Sequence, residues 1–184
     1  MGLISDGLER AVEQAFTRPI PSSAGAQMRY LVKQFKGTRA VAQELGVSQR
    51  TVERYVRNQI RRPRADLAQR LADAVRERWQ PRVRAKARKQ AATTTGILID
   101  TRARFGFTAA PGSTDDARIR HLTLALPPHH AARLFDAQAA GASEQQLRHV
   151  AAEALGEVYF RDGGRRAHDL EVELTDIEHL QLDL

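Results

Sequence analysis

Hydrophobic residues in the first third of the chain recur at helical spacing. Ser5 is a suitable N-cap for a helix whose apolar face holds Leu8, Val12 and Phe16. A second stripe of the same period runs through Met28, Leu31, Val32 and Phe35. We therefore expect two helices with buried faces before residue 37.

The stretch GTRAVAQELGVSQRTVERYV, residues 37–56, contains the most specific pattern of the chain. Ala42 is small where two helices would cross, and Gly46 tolerates the positive φ of a tight turn. Ser48 is a suitable cap for the second helix. The spacing resembles the helix-turn-helix family and predicts such a motif at 37–57.

Two sets of polar residues then follow as candidate DNA contacts. The second helix of the motif places Ser48, Gln49, Arg50, Glu53, Arg54 and Arg57 toward a major groove, and Arg61 and Arg62 continue the basic run. A basic helix is predicted at 64–92, with a buried stripe of Leu67, Leu71, Val75 and Trp79. Its cations Arg82, Arg84, Lys86, Arg88 and Lys89 have no acidic neighbours in sequence, which favours contacts to a DNA backbone over ion pairs. A solvated linker helix is the alternative.

The pattern changes after TTTG, residues 93–96. ILIDTRARF at 97–105, RIRHLTLALP at 118–127 and HDLEVELTDIEHLQLDL at 168–184 each alternate apolar and polar positions, as strands with one covered face do. Pro127 and Pro128 end the second strand and start a helix, and Ser143 is a suitable cap for another. The order is β-β-α-α-β, with the acids of the last strand available to Arg102 and Arg104 or to a basic partner.

The fold class is therefore α+β: a helical helix-turn-helix domain at 1–95, followed by a small antiparallel sheet with two helices at 96–184. Charge divides the 184 residues similarly. Residues 1–104 hold 22 Lys and Arg against 9 Asp and Glu, whereas 105–184 hold 7 against 13. The basic part favours a polyanion such as DNA, because binding releases condensed counterions.

Composition limits the remaining chemistry. There are no cysteines, so thiol catalysis and disulfides are excluded. The start of the chain has no secretion or myristoylation signal and no apolar run is long enough to cross a bilayer, so we expect a cytoplasmic, nucleoid-associated protein without a membrane partner. His129 and His130 are adjacent, but they have no carboxylate at metal-binding spacing, so no intrinsic metal site is expected.

The segment PGSTDD, residues 111–116, lies between the first two predicted strands and reads by itself as a turn. With the helix-turn-helix motif and the basic arm, it makes the whole chain resemble the telomere terminal proteins (Tpg type) of Streptomyces linear chromosomes and plasmids. The resemblance implies covalent attachment to DNA 5′ ends, a priming loop at 108–117, and Thr114 as the hydroxyl that accepts the first deoxynucleotide. Ser113 is the nearest rival hydroxyl.

The resemblance also implies partners: telomeric DNA with its 3′ overhang, a telomere-associated protein and a DNA polymerase. A threonine hydroxyl needs a base or a metal before it attacks a nucleoside triphosphate. Asp115 and Asp116 could supply either, although a partner polymerase would hold Mg²⁺ and the deoxynucleotide triphosphate itself. Two alternatives stay open: a non-covalent DNA-binding regulator or replication accessory protein whose acidic half forms homo-oligomers or recruits partners, and an autonomous nucleotidyltransferase.

Overall fold

The computed structural model describes residues 2–108, 118–161 and 171–184, and the side chains at 107, 108 and 118 are outside the description. It confirms the α+β class: a helical region with a helix-turn-helix is followed by a three-stranded antiparallel sheet and further helices. Contacts divide the chain into two compact units, Thr17–Pro81 and Met1–Phe16 with Arg82–Leu184. We call them the helix-turn-helix unit and the sheet unit.

This division differs from the boundary near residue 95 that the sequence indicates. Helix α1 (Leu3–Gln14) packs against the last strand and the last helix of the sheet unit, with Leu8 and Val12 fully buried in that core. The first helix therefore contributes its apolar face to a sheet that begins more than 80 residues later.

Helix α1 also begins earlier than predicted. Its N-cap is Gly2, which has no side chain to offer, and Ser5 already lies inside the helix. The carboxylate of Glu144 instead accepts a hydrogen bond from the Ile4 backbone N–H over 2.8 Å. The prediction of Ser5 as the cap is wrong because a distant residue satisfies the exposed amides at this helix end.

The helix-turn-helix unit consists of α2 (Ala24–Phe35), α3 (Thr38–Glu44), α4 (Gln49–Val56) and α5 (Ala65–Arg78). Met28 and Leu31 of α2 and Leu71 and Val75 of α5 are fully buried. Burying apolar side chains of this size is the main source of stability for such a small unit, at about 1.5–3 kcal/mol each.

A single basic helix over 64–92 is not what the structure contains. Helix α5 ends at Arg78, and α6 (Pro81–Gln90) starts after a break in which Gln80 has φ 44°. Pro81 lacks an N–H and its ring would clash with the preceding turn, so it can only begin a helix here. Trp79 holds the break in place, since its indole Nε1–H donates to the Arg18 carbonyl over 3.1 Å.

The TTTG stretch does not separate α6 from the sheet by a loop. A π-helical turn at Ala91–Thr95 extends the helix and stops at Gly96, which has φ 75°. A Cβ at this position would lie 2.1 Å from the Leu126 carbonyl oxygen. Gly96 is therefore required both by its backbone conformation and by the close approach of the second strand.

The sheet has the order β2-β1-β3, with β1 at Ile97–Thr108, β2 at Arg118–Leu126 and β3 at Glu171–Asp183. Both pairings are antiparallel, with Thr101 opposite Leu122 on one side and Leu180 on the other. The register on β3 shifts between Arg102 and Arg104, where Asp176 has φ 44°. Two extra residues of β3 lie at this irregularity, so the alternation stays in phase: Val172 and Leu174 before it and Leu180 and Leu182 after it are all buried.

Two helices cover the inner face of this sheet. Helix α7 (Pro128–Ala139) begins at the predicted prolines, and α8 (Glu144–Leu155) begins with a capping box in which Ser143 and Gln146 bond reciprocally. A second π-helical turn, Gly156–Phe160, follows α8. Both predicted helix starts are confirmed.

The outer face of the sheet is polar. Arg102 pairs with Glu178 over 2.6 Å and Arg104 with Asp176 over 3.3 Å, so the predicted pairing of these arginines with the last strand is confirmed. Asp100 accepts hydrogen bonds from His121 and Thr123 of β2 on the same face. These contacts bind the three strands to one another.

Candidate nucleic-acid interface

The turn between α3 and α4 has the geometry that the sequence predicts. Gly46 has φ 62°, and the Val47 N–H donates to the Ala42 carbonyl over 2.9 Å, which closes the end of α3. Ala42, Val52 and Tyr55 are buried between the helices. Because these contacts set the angle between α3 and α4, they also determine which side of α4 is left outside.

The start of α4 is fixed by Ser48. Its hydroxyl accepts from the Thr51 N–H over 3.2 Å and lies 2.9 Å from the Thr51 hydroxyl. Ser48, Gln49 and Arg50 at this helix end are exposed, and the N-terminal end of a helix favours an anion such as a phosphate group.

The outer surface of α4 carries the predicted DNA-contacting residues. Gln49, Arg50, Glu53, Arg54 and Arg57 line one shallow groove together with Gln59, which sequence reasoning missed. The Gln49 amide donates to the Glu53 carboxylate over 2.9 Å, one turn along the helix. Gln59 lies shortly after Val56, the last residue of α4. A prediction that ended the helix at Val56 would have included Gln59 among the candidates.

The cations of this groove are not neutralised by any residue that the structure describes. Among the described residues, Arg50, Arg54 and Arg57 have no carboxylate within ion-pair distance, and the same holds for the exposed Arg61 and Arg62. Unpaired guanidinium groups at a surface are free to bind phosphate or a base edge bidentately.

Val52 and Tyr55 are buried on the side of α4 opposite the exposed arginines. Burial raises the pKa of the Tyr55 phenol, and neighbouring Arg54 acts in the opposite direction. The C-terminal end of α4 is held by Arg29, which donates to the Val56 carbonyl over 3.0 Å and to the Asn58 side chain over 3.2 Å. Helix α4, which carries the exposed arginines, is thus held in place at both of its ends.

The basic residues of α6 fall into two groups. Arg84 and Arg88 both bind the Glu9 carboxylate, Arg88 over 2.6 Å, so the expectation that this segment would not form ion pairs is wrong for them. Glu9 lies in α1, far from α6 in sequence, so the residues that neighbour Arg84 and Arg88 in sequence do not predict these ion pairs. Arg82, Lys86 and Lys89 are exposed and have no acidic partner among the described residues.

The predicted priming residues Thr114, Asp115 and Asp116 lie outside the described residues, as does Ser113. The strands on either side of them are described: β1 ends at Thr108 and β2, its antiparallel neighbour, begins at Arg118. The role of Thr114 stays a prediction.

Comparison with known proteins gives evidence on the helix-turn-helix unit. Residues 28–78 match the family model described as Helix-turn-helix, a span that runs from the middle of α2 to the end of α5. No curated protein and no solved structure matches the chain. Within the described ranges, no helix has the length and apolarity needed to cross a bilayer. The chain therefore contains a helix-turn-helix domain of the DNA-binding kind.

Proposed function

We propose that the protein binds duplex DNA by inserting α4 into the major groove. The observation that carries this proposal is the row of exposed arginines 50 and 54 on α4 and 57 at its C-cap, without acidic partners among the described residues. A cationic helix face of this width matches the dimensions of the groove and the charge of its walls.

Gln49 and Glu53 lie in the same groove as these arginines, and their different chemistry suggests a different role. Gln49 is held by its hydrogen bond to Glu53, so its amide is oriented before DNA arrives. An oriented glutamine can bond adenine bidentately, and a glutamate can accept from the amino group of cytosine. Gln49 and Glu53 would then read bases, while the arginines bind guanine or phosphate.

The test uses a duplex selected from a random pool with the full chain. Arg54→Ala should weaken binding and lower the slope of log affinity against log salt by about 1, since one phosphate contact is lost. Arg70→Ala is the matched control, because it removes the same charge from an exposed site on α5 that is paired with Asp66. Equal affinity of wild type and Arg54→Ala across the salt series would exclude α4 as the recognition helix.

The specific role that we propose for this DNA-binding protein is that of a telomere terminal protein. The support is the resemblance of the whole sequence, together with the place of Thr114 between two adjacent antiparallel strands. A segment that joins such strands can be presented to the active site of a partner polymerase.

The priming reaction balances without a further reactant. The Thr114 oxygen attacks the α-phosphorus of a deoxynucleotide triphosphate, a phosphoester bond forms, and pyrophosphate leaves. The hydroxyl proton passes to a carboxylate, either Asp115 or Asp116 or one of the polymerase, and Mg²⁺ held by the polymerase would balance the phosphate charge.

Labelling distinguishes this role from a non-covalent regulator. The full chain is incubated with labelled deoxynucleotide, Mg²⁺, a DNA polymerase from the host and a telomeric template. Label that survives boiling in detergent, is lost in Thr114→Ala and is retained in Ser113→Ala supports priming at Thr114. Equal labelling of Thr114→Ala would move the site, and labelling without polymerase would favour an autonomous nucleotidyltransferase.

The DNA ends give a second measurement. Terminal restriction fragments from cells should enter a gel only after protease treatment if a protein caps them covalently. Equal entry with and without protease would leave the non-covalent regulator as the function, without affecting the proposal for α4.

A further inference from the structure

Two histidines and a glutamate meet in the sheet unit at a place that sequence spacing did not reveal. His129 and His130 occupy the first turn of α7, and Glu157 lies in the π-helical turn after α8. The His129 Nε2 is 3.8 Å from one Glu157 carboxylate oxygen, and the His130 Nε2 is 3.6 Å from the other. The expectation of no metal site relied on spacing along the sequence, whereas the fold places a carboxylate beside both histidines.

The two imidazole rings converge although their residues are adjacent. Their centroids are 4.0 Å apart and their planes are inclined by 43°. One candidate ligand atom from each of the three residues can be chosen so that all three lie within 4.8 Å of one another. A tetrahedral ion with bonds of about 2.0–2.2 Å holds its ligands about 3.4 Å apart, so small side-chain rotations would bring these atoms into range.

His130 is the unusual member of the group. It is 1% exposed, and neither of its ring nitrogens has a hydrogen-bond partner among the described residues. Buried polar atoms are almost always bonded, because they have lost their hydration without replacement. A nitrogen lone pair directed at a cation would satisfy one of them.

Neighbouring charges keep the group available for a cation. The guanidinium of Arg133 pairs with Glu153. Glu157 is therefore not the acid that this arginine binds. His129 and Glu157 are 59% and 46% exposed, so an ion could reach the group from solvent.

We propose that His129, His130 and Glu157 form a binding site for a borderline divalent transition-metal ion of the Zn²⁺ class. Two imidazoles and one carboxylate match the preferences of such an ion, whereas Mg²⁺ and Ca²⁺ prefer oxygen ligands alone. The exposed side leaves a coordination position for water. An ion held here joins the start of α7 to the turn after α8, and so stabilises the helical layer that covers the sheet.

The chain contains a natural control of the same composition. On the outer sheet face, Asp100 is 3.0 Å from the Nε2 of His121 and 3.1 Å from that of His179. There the carboxylate also accepts a hydrogen bond from Thr123 over 2.5 Å, so its contacts are already satisfied within the protein. We expect the metal at the first group and not at this one.

The test uses the full chain without an affinity tag, freed of metal by a chelator and titrated with Co²⁺, whose visible absorption reports its coordination. One equivalent should give a tetrahedral spectrum that Zn²⁺ displaces. His129→Ala and Glu157→Gln, both at exposed side chains, should weaken Co²⁺ binding at least about 100-fold, since removing even an outer partner of a ligand costs about 10–100-fold. His121→Ala and His179→Ala should leave the affinity unchanged.

Three results would overturn the proposal: no tetrahedral spectrum with wild type, unchanged affinity in His129→Ala and Glu157→Gln, or loss of binding in the His121→Ala or His179→Ala control. Circular dichroism of each variant without metal separates loss of the site from loss of the fold. Added Zn²⁺ should also raise the Tm of wild type and leave that of Glu157→Gln unchanged. An equal rise in both would place the ion elsewhere.

Discussion

The carboxylate of Glu144 caps helix α1, accepting a hydrogen bond over 2.8 Å from the N–H of Ile4, which lies 140 residues earlier. A second, longer contact of 3.5 Å reaches the Ser5 N–H. Because Gly2 cannot cap α1 itself, the first helix depends on α8 for its polar end, while its apolar face packs against both β3 and α8.

Glu144→Ala should therefore destabilise the sheet unit. The exposed amides of the first turn lose their acceptor, and removal of a side-chain cap costs about 0.5–2 kcal/mol. Gln145→Ala is the control, since it truncates the exposed neighbour on the same helix turn. Urea unfolding followed by circular dichroism measures both. Equal midpoints for the two variants would show that the amides are satisfied by water instead.

Glu9 forms ion pairs with two arginines, so its contribution to the free energy of unfolding can be tested by itself. Glu9→Gln leaves the Arg84 and Arg88 guanidinium groups without their shared carboxylate, at side chains that are 14% and 31% exposed. The expected loss is about 2 kcal/mol, between the roughly 0–1 of an exposed pair and the roughly 3–5 of a fully buried one. Urea unfolding measures it.

The control for Glu9 is Asp66→Asn. It breaks an exposed pair with Arg70 four residues along α5, which should cost about 0.5 kcal/mol or less. If Glu9→Gln is no more destabilising than this control, Arg84 and Arg88 do not need their acid and could serve DNA, as the sequence first indicated.

Asp100 should contribute to the acid sensitivity of the sheet. Hydrogen bonds from Thr123 and then His121 lower the pKa of its carboxyl in the folded protein. A lowered folded pKa means that the stabilisation is complete above the unfolded pKa, near about 3.9, and disappears as the pH falls through the folded value.

The difference in unfolding free energy between wild type and Asp100→Asn should therefore shrink as the pH falls from about 5 to about 3. Asp136→Asn provides the comparison, because Asp136 is exposed and has no side-chain partner among the described residues. A wild-type advantage over Asp100→Asn that stays constant with pH would mean that the carboxylate charge contributes nothing.

These contacts show what the sequence could predict and why. The helix-turn-helix motif was predictable because its determinants are local: Ala42, Gly46 and Ser48 act on residues within one or two turns. The strands were predictable from alternation alone, and the α+β class followed. Strand order was not, since nothing in β3 identifies β1 as its neighbour.

The break of the predicted helix at Pro81 has a local cause, but most of the other differences join residues that are distant in sequence. Glu9 meets Arg84 and Arg88 across 75 and 79 positions, and Glu144 meets Ile4 across 140. Glu157 reaches His130 only because α7 and α8 pack side by side. A pattern of spacings carries no information on such pairs until the tertiary fold exists.

The last prediction concerns the backbone of the turn that orients α4. Gly46 has φ 62°, and a Cβ added there would meet no atom within 4 Å. Gly46→Ala should therefore destabilise the helix-turn-helix unit by about 1–2 kcal/mol through backbone strain alone. Gly46→Asn should cost less, because asparagine adopts the left-handed region more readily than alanine. Urea unfolding of the full chain, followed by the fluorescence of Trp79 in this unit, ranks the two. Equal losses would mean that the cost comes from the side chain and not from φ.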